Sequence, residues 1–496
     1  MQRDLSRLTG TTHDVIVVGG GIQGVWIAWD AALRGLSVAL LERDDFGAAT
    51  SANSLRIVHG GLRYLARGDL PRMRESIRER AALLRVAPSL VEPLPVLIPT
   101  IGAGAQGRMA MGAALRLNDL GSFDRNRGLR PDRRLPRGRL VAADECRRLF
   151  PPFPPSGGGA LWYDARLCHP ERLTLAIARA AAGRGAAVAN YCRVERLVSD
   201  GGRVRGVVAT DLEGGAELEV RGRTVVIAAG PWTPELAGRN GASAYALAVN
   251  VELGRRLAET AVGVRAPTGP GDDPIIGGHR FIFLVPQGAT TLLGTWYAPA
   301  PVREALGATV ERGAAALVAE VRAACRTLDI GPGDVVRCQW GRLPLKAGRE
   351  PGRPDALAER PDVTAHRAAD ETRGIFSVEG VKYTTARGVA EGVVDRIVAE
   401  LGTRAAPCRT GVTRVDEGLG DLAAPLEARA REAARSEMAL RLSDIVLRRS
   451  CLAAAATPSR TEVAAAARAA AGILGWTDTR AAREIEEVMR QVESAA

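Results

Sequence analysis

Gly19, Gly21 and Gly24 set a G-x-G-x-x-G spacing, and Glu42 follows about 20 residues later. Without side chains, such glycines let backbone N–H groups and a helix N-terminus approach a pyrophosphate, while a carboxylate at that distance accepts a bond from an adenosine ribose hydroxyl. The chemistry implied is dinucleotide binding. Just beyond, Gly47, Ala48, Ala49, Thr50, Ser51 and Ser54 combine small surfaces with hydroxyls, which suits close packing against a flat ligand. These residues need a frame, and the surrounding pattern supplies one. An apolar strand (Val15 to Val18), an amphipathic helix (Ile22 to Arg34) and a second strand (Ser37 to Leu41) read as one βαβ unit. The motif by itself does not separate FAD from NAD.

The remaining composition narrows the class. A chain of 496 residues, 46% hydrophobic and 25% charged, can hold two or three domains with substantial cores. Its net charge of +11 is carried almost wholly by arginine, since Lys346 and Lys382 are the only lysines. A basic surface favours anionic substrates or acidic lipid headgroups, or is simply a solvated mixed surface. Nucleic acid is not expected as a partner, because aromatic content is 4% and no basic stretch is interleaved with aromatics. Seven cysteines, Cys451 among them, show no C-x-x-C and no pairing rhythm, which points to reduced thiols and a cytoplasmic setting. No apolar run approaches the roughly 20 residues of a membrane span, and residues 1–14 lack the apolar core of a signal peptide. Any membrane contact is therefore expected to be peripheral, on the inner face. His13, His169, His279 and His366 have no carboxylate or thiol at ligand spacing, so no metal is expected.

Residues 192–232 read as successive strands with Asp-Gly-Gly and Glu-Gly-Gly turns, closing on Ala228, Ala229, Gly230, Pro231 and Trp232. A β-meander ending in A-A-G-P-W is a habit of FAD folds, which selects FAD over NAD. The stretch Ser51 to Leu65, SANSLRIVHGGLRYL, resembles the hallmark of the FAD-dependent glycerol-3-phosphate dehydrogenase family, with Arg56 where that family usually has Lys. The resemblance continues in the E-R-x-x-L-L-x-x-A-P pattern of Glu79 to Pro88 and in G-V-K-Y-T-T-A-R (Gly380 to Arg387). It returns in Ser436 to Leu452, and the alanine runs there (Ala454 to Ala456, Ala464 to Ala467) are good helix formers.

What this resemblance implies is an α/β chain with a discontinuous Rossmann-like FAD-binding domain, an antiparallel β substrate domain and a C-terminal helical cap. The FAD-binding domain is expected from 1–92, 151–232 and 341–400, the substrate domain from 93–150 and 233–340, and the cap from 401–496. The implied reaction oxidises sn-glycerol 3-phosphate to dihydroxyacetone phosphate by hydride transfer to flavin N5, with electrons passing to a quinone or other acceptor. Cofactor contacts are expected from Gly19, Gly21, Gly24, Glu42, Thr50, Ser51, Ser54, Gly60, Gly61, Val194, Gly230, Lys382 and Thr384. Arg63 and Arg342 would hold the phosphate by charge-assisted bonds. Lys382 would place a cation beside flavin and substrate, against the alternative of a surface lysine. His59 is open between a structural and a catalytic role. A homodimer is one of the open assemblies.

Three departures from the family lie near the substrate. Glu252 to Arg256 (ELGRR) stands where the family carries K-G-x-H, and Gly294, Thr295, Trp296, Tyr297 stand for G-T-T-D. Arg342, Leu343, Pro344, Leu345 is one residue longer than the family's R-P-L. Two bulky aromatics would reshape the pocket if both face inward. The alternative is a related FAD oxidase or dehydrogenase acting on a hydroxy acid, an amine or another phosphorylated polyol.

Overall fold

The computed structural model describes all residues except 66, 103, 105, 155, 239–243, 267–279, 301–305, 347–355, 367–372, 451–456 and 496. His279, Cys451 and Ala454 to Ala456 lie outside the described residues.

Two sheets organise the chain. The first runs in the order Asp362–His366, Ile375–Glu379, Glu217–Ile227, Thr12–Val18, Val38–Leu41, Ala187–Ala189. Its centre is parallel, with Val15 opposite Val38 and Val18 opposite both Leu41 and Ile227. The strands Cys192–Asp200 and Arg203–Asp211 extend it as an antiparallel meander. Thr12–Val18 is buried on both faces because helices cover one side and the meander the other, so it reads as a continuous apolar run.

The helix Ile22–Leu33 explains its own composition. It lies between the sheet and the helices Pro170–Gly183 and Ala386–Leu401, and Trp26, Ile27 and Trp29 are all buried in that layer. A helix enclosed on several sides can afford few polar residues. Asp30 is buried among them and pairs with Arg34 at 2.7 Å, one turn on.

The second sheet contains Val335–Lys346, Tyr245–Leu253, Thr290–Pro299, Phe281–Gln287, Ala261–Arg265, Val91–Pro99 and Gly159–Leu167 in that order. It is antiparallel except where Ala261–Arg265 runs parallel to Val91–Pro99. Its outer face is covered by the helix Leu306–Ala324 through Leu317, Val318 and Val321. The domain boundaries drawn from sequence need correction here. The strand Gly159–Leu167 follows residue 151 yet pairs along its whole length with Val91–Pro99, and Val335–Lys346 runs past residue 340 inside the same sheet. Pairing between strands some 70 residues apart leaves no local trace in sequence.

The C-terminal helices Leu426–Ser436, Arg460–Leu474 and Asp478–Ala495 pack around their own small core of Ala433, Leu442, Ile445 and Val488. Buried charge joins this cap to the first sheet. Asp45, fully enclosed, accepts from Arg448 Nε at 2.5 Å and Arg449 Nη2 at 2.7 Å, and Arg172 meets Glu437 at 2.7 Å. Burial pushes the Asp45 carboxyl up, but the two guanidinium groups outweigh it and hold the pKa at about 2. Asp45 lies three residues beyond Glu42, so the cap is anchored beside the cofactor end of the sheet.

Candidate functional site

The C-terminal ends of the parallel strands open onto a cleft of about 460 Å³. Its walls include Gly19, Gly21, Glu42, Thr50, Ser51, Ser54, Val194, Gly230, Arg342 and Lys382, ten of the residues singled out from sequence. The remaining ones, Gly24, His59, Gly60, Gly61, Arg63 and Thr384, stand behind the lining or to its side.

The glycines divide into different jobs. At Gly24 a Cβ would lie 1.9 Å from the Gly19 carbonyl oxygen, so its absence permits helix-to-strand packing. Gly19 has φ +107°, and a Cβ there would meet the Ala228 carbonyl at 2.6 Å. At Gly21 a Cβ would meet only the Ser51 hydroxyl, at 3.1 Å, because that position faces the cleft. Gly20, which the motif leaves free, is constrained too: a Cβ would come within 2.7 Å of Phe46 and 2.9 Å of Glu42. Beside Gly21, the Ile22 N–H at the helix start donates to Ser51 Oγ at 2.9 Å. The helix thus presents a first-turn N–H to the cleft with a movable hydroxyl on it.

Glu42 closes the strand Val38–Leu41. Its Oε2 accepts from the Gly20 N–H at 2.5 Å and its Oε1 from the Asp44 N–H at 2.8 Å. Burial pushes the carboxyl up to about 7 despite those two bonds, so it titrates near neutrality.

At the far end of the cleft the charges turn positive. Lys382 is half-buried, and its Nζ donates to Tyr64 Oη, which also receives a bond from Arg63 Nη2 at 3.1 Å. Burial lowers the Lys382 pKa while Tyr64 raises it in part; burial opposes ionisation of Tyr64, yet Arg63 and Lys382 together bring the phenol down. Arg63 itself is exposed and reaches the cleft only through Tyr64. Arg342 lines the cleft directly. Its backbone N–H donates to Thr50 Oγ1 at 3.3 Å, and among the described residues its guanidinium has no partner.

The H-G-G motif proves to be a packing device for a buried carboxylate. Asp164 Oδ1 accepts from the Gly60 N–H at 2.6 Å and from Arg80 Nη1 at 2.7 Å, and Oδ2 accepts from the Trp162 indole at 3.2 Å. A Cβ at Gly60 would strike Arg80 Nη1 at 1.9 Å, whereas Gly61 adopts φ +83° tight against Met73. Neither glycine is among the residues that line the cleft. His59 Nδ1 stands 3.8 Å from Asp164 Oδ2. Burial works against the ionised Asp164, but His59, Arg80 and the Gly60 N–H hold it at about 2. The Thr384 hydroxyl accepts from the His59 backbone N–H at 3.3 Å.

The departures from the family sort by strand alternation. Thr295 and Tyr297 line the cleft, while Trp296 points to the opposite face and packs on Gly313, where a Cβ would lie 2.5 Å from its ring. One aromatic, not two, therefore narrows the site. Glu252 shares the sheet face of Asn250 but lies beyond the cleft lining, accepting from Thr290 at 2.6 Å and Arg337 at 2.7 Å. Asn250, two residues earlier, lines the cleft and accepts from Thr295 Oγ1 at 2.7 Å. Sequence reading passed over Asn250 and Asp164, although the period of two gave a way to find the first.

A dinucleotide-binding oxidoreductase architecture is the class that this sheet and cleft define. The family model described as FAD dependent oxidoreductase matches residues 14–396. Glycerol-3-phosphate dehydrogenase 1 of Mycobacterium tuberculosis is 34% identical over 420 residues, covering 82% of this chain and 77% of that protein. Glycerol-3-phosphate dehydrogenase of a Synechocystis species is 30% identical over 426 residues, covering 82% and 74%. Among solved structures, glycerol-3-phosphate dehydrogenase from Bacillus halodurans complexed with FAD has a TM-score of 0.74 at 21% identity, covering 99% of this chain and 96% of that one. The chain belongs to the FAD-dependent oxidoreductase family, and FAD is its cofactor. The cleft fits that cofactor: Gly21 leaves the wall open beside the Ile22 N–H for a pyrophosphate, and Glu42 lines the cleft with a carboxylate able to accept from a ribose hydroxyl.

Two predictions follow from the glycines and Glu42. Gly21→Val meets only a hydroxyl in the protein but fills the cradle, so it should give folded, colourless protein. Gly24→Ala meets backbone and should lower the thermal midpoint instead; absorbance and thermal scans of both variants check this, and yellow Gly21→Val protein would contradict it. For Glu42, a ribose hydroxyl donates to the ionised carboxylate, so FAD affinity should rise as pH climbs through about 7 and fall below it. Fluorescence titration of apoprotein should show that dependence lost in Glu42→Gln, and an equal slope in both proteins would refute it.

Proposed function

We propose that the protein oxidises sn-glycerol 3-phosphate to dihydroxyacetone phosphate. The observation that carries this reading is the unpartnered Arg342 guanidinium in a cleft that also holds the half-buried Lys382. Two cations facing one space favour a dianion, and a guanidinium fork suits phosphate. The names of the relatives point to the same substrate.

FAD, when bound, supplies the acceptor for the hydride leaving the carbinol carbon. The chain's own residues do the rest. Arg342 holds the phosphate and fixes the distance of the carbinol from the flavin end of the cleft. Lys382, bridged to Arg63 by Tyr64, stabilises negative charge there. His59 is the candidate base for the hydroxyl proton: it lies beside the cleft lining, with Nδ1 3.8 Å from the buried Asp164 carboxylate. One observation favours an amine instead. Glu379, also on the cleft wall, accepts from Tyr245 Oη at 3.2 Å and adds negative charge to that wall.

The electron acceptor is a quinone reached at a membrane surface. Support comes from the helix Arg108–Gly121, whose outer stripe exposes Met109, Leu117 and Leu120, continued by Phe123 at 81% exposure. Residues 108–139 carry nine arginines against three aspartates. Apolar side chains rimmed by arginine suit an anionic bilayer.

Arg342→Ala should weaken glycerol 3-phosphate binding by roughly 2 to 5 kcal/mol with FAD retained. Lys382→Ala should slow flavin reduction about 10²-fold or more at unchanged FAD content. Stopped-flow reduction across substrate concentrations reads both; unchanged constants in either variant would remove that residue from the site. Separately, wild type should sediment with anionic vesicles and Leu120→Glu/Phe123→Glu should stay in the supernatant, whereas equal sedimentation would refute the apolar stripe as the contact.

A further inference from the structure

A second concavity, of about 820 Å³, runs between the helices Leu70–Val86 and Ala386–Leu401 and shares Val381 and Lys382 with the cofactor cleft. Eight arginines and Lys382 line it against five carboxylates. The distribution matters more than the surplus. Arg72 is neutralised by Glu359 at 2.9 Å, and Arg387 by Glu79 at 2.5 Å and Glu391 at 2.9 Å. Asp124 is used by Arg74, which lies outside the groove, at 2.8 Å, Arg125 pairs with Asp119 at 3.2 Å, and Glu75 is the one groove carboxylate with no ion pair among the described residues. Arg78, Arg127, Arg360 and Arg409 are left with no side-chain partner among the described residues. Arg85 is half-buried, and its two Nη groups donate only to the Gly411 and Arg127 carbonyls, which leaves its charge uncompensated.

Guanidinium groups gathered in one concavity repel one another and focus a positive potential into it. A fold keeps such an arrangement at little cost only where solvent or a ligand supplies the counter-charge. The groove's volume is that of a small-molecule site. Its unpaired groups are forked donors suited to phosphate oxygens. One end of the groove is Lys382 itself.

We propose that this groove binds a soluble, multiply charged phosphate compound, and that its occupancy alters the chemistry at Lys382. Anionic charge in the groove draws the Lys382 ammonium field away from the cofactor cleft and slows flavin reduction. The binding step stands independently, whereas the kinetic link rests on the role given to Lys382 under the proposed function.

Pyrophosphate is the probe, titrated calorimetrically into the FAD-loaded protein. Wild type should bind one equivalent saturably. Arg78→Ala/Arg409→Ala removes two exposed guanidinium groups outside the cofactor cleft and should weaken that binding about tenfold or more, with FAD content unchanged. Arg342→Ala should retain it. Pyrophosphate should also slow reduction by glycerol 3-phosphate in wild type and do so less in the double variant. Equal affinity in wild type and double variant, or loss of binding in Arg342→Ala, would overturn the site. Bound pyrophosphate with an unchanged reduction rate would overturn the link to Lys382. Displacement of pyrophosphate by phosphatidylglycerol vesicles would overturn a soluble source in favour of a lipid headgroup. If glycerol 3-phosphate fails to reduce the flavin at all, the calorimetric arms still decide the site.

Discussion

One close approach governs the molecule: the helix Ile22–Leu33 lies so near the strand Thr12–Val18 that a single methyl at Gly24 would overlap the Gly19 carbonyl. That contact aims the helix start at the end of the strand, and with it the Ile22 N–H. The neighbouring strand then brings Glu42 onto Gly20, and the Glu217–Ile227 strand brings Ala228 against Gly19. Three separate chain segments meet within one turn because the glycines there leave room for the Glu42 side chain and the Ala228 backbone. The site is therefore a property of backbone packing before it is a property of functional groups.

Arginine does two jobs in a chain with only two lysines. Several buried arginines are matched, as Arg80 is by Asp164 and Arg449 by Asp45. Breaking one partner of such a pair leaves a buried charge unpaired, so these contacts fix geometry rather than add large net stability. Others that line a cavity have no carboxylate partner among the described residues, as Arg342 in the cleft and Arg78 in the groove beyond Lys382.

The legible parts of the site were the ones fixed by local backbone rules. The glycine spacing and Glu42 constrain neighbours within one βαβ unit, so the sequence carries them openly. The H-G-G-L-R-Y-L stretch was legible as important but not in its purpose, because Gly60 makes room for Arg80, twenty residues on, and positions Asp164 from a distant strand. Trp296 and Tyr297 looked like a pair of obstructions, whereas strand alternation sends only Tyr297 inward. The domain boundary near 151 failed for a related reason, since the partner of Gly159–Leu167 lies far back in the chain.

The central claim is that a cation-lined cleft at the flavin end selects a phosphorylated secondary alcohol. Anaerobic mixing of the FAD-loaded protein with glycerol 3-phosphate, glycerol, an amino acid or a hydroxy acid tests it most directly, read as loss of the oxidised flavin band. The account predicts rapid bleaching by glycerol 3-phosphate and slow or no bleaching by glycerol and the acids. Bleaching by an amino or hydroxy acid with an inert response to glycerol 3-phosphate would contradict it.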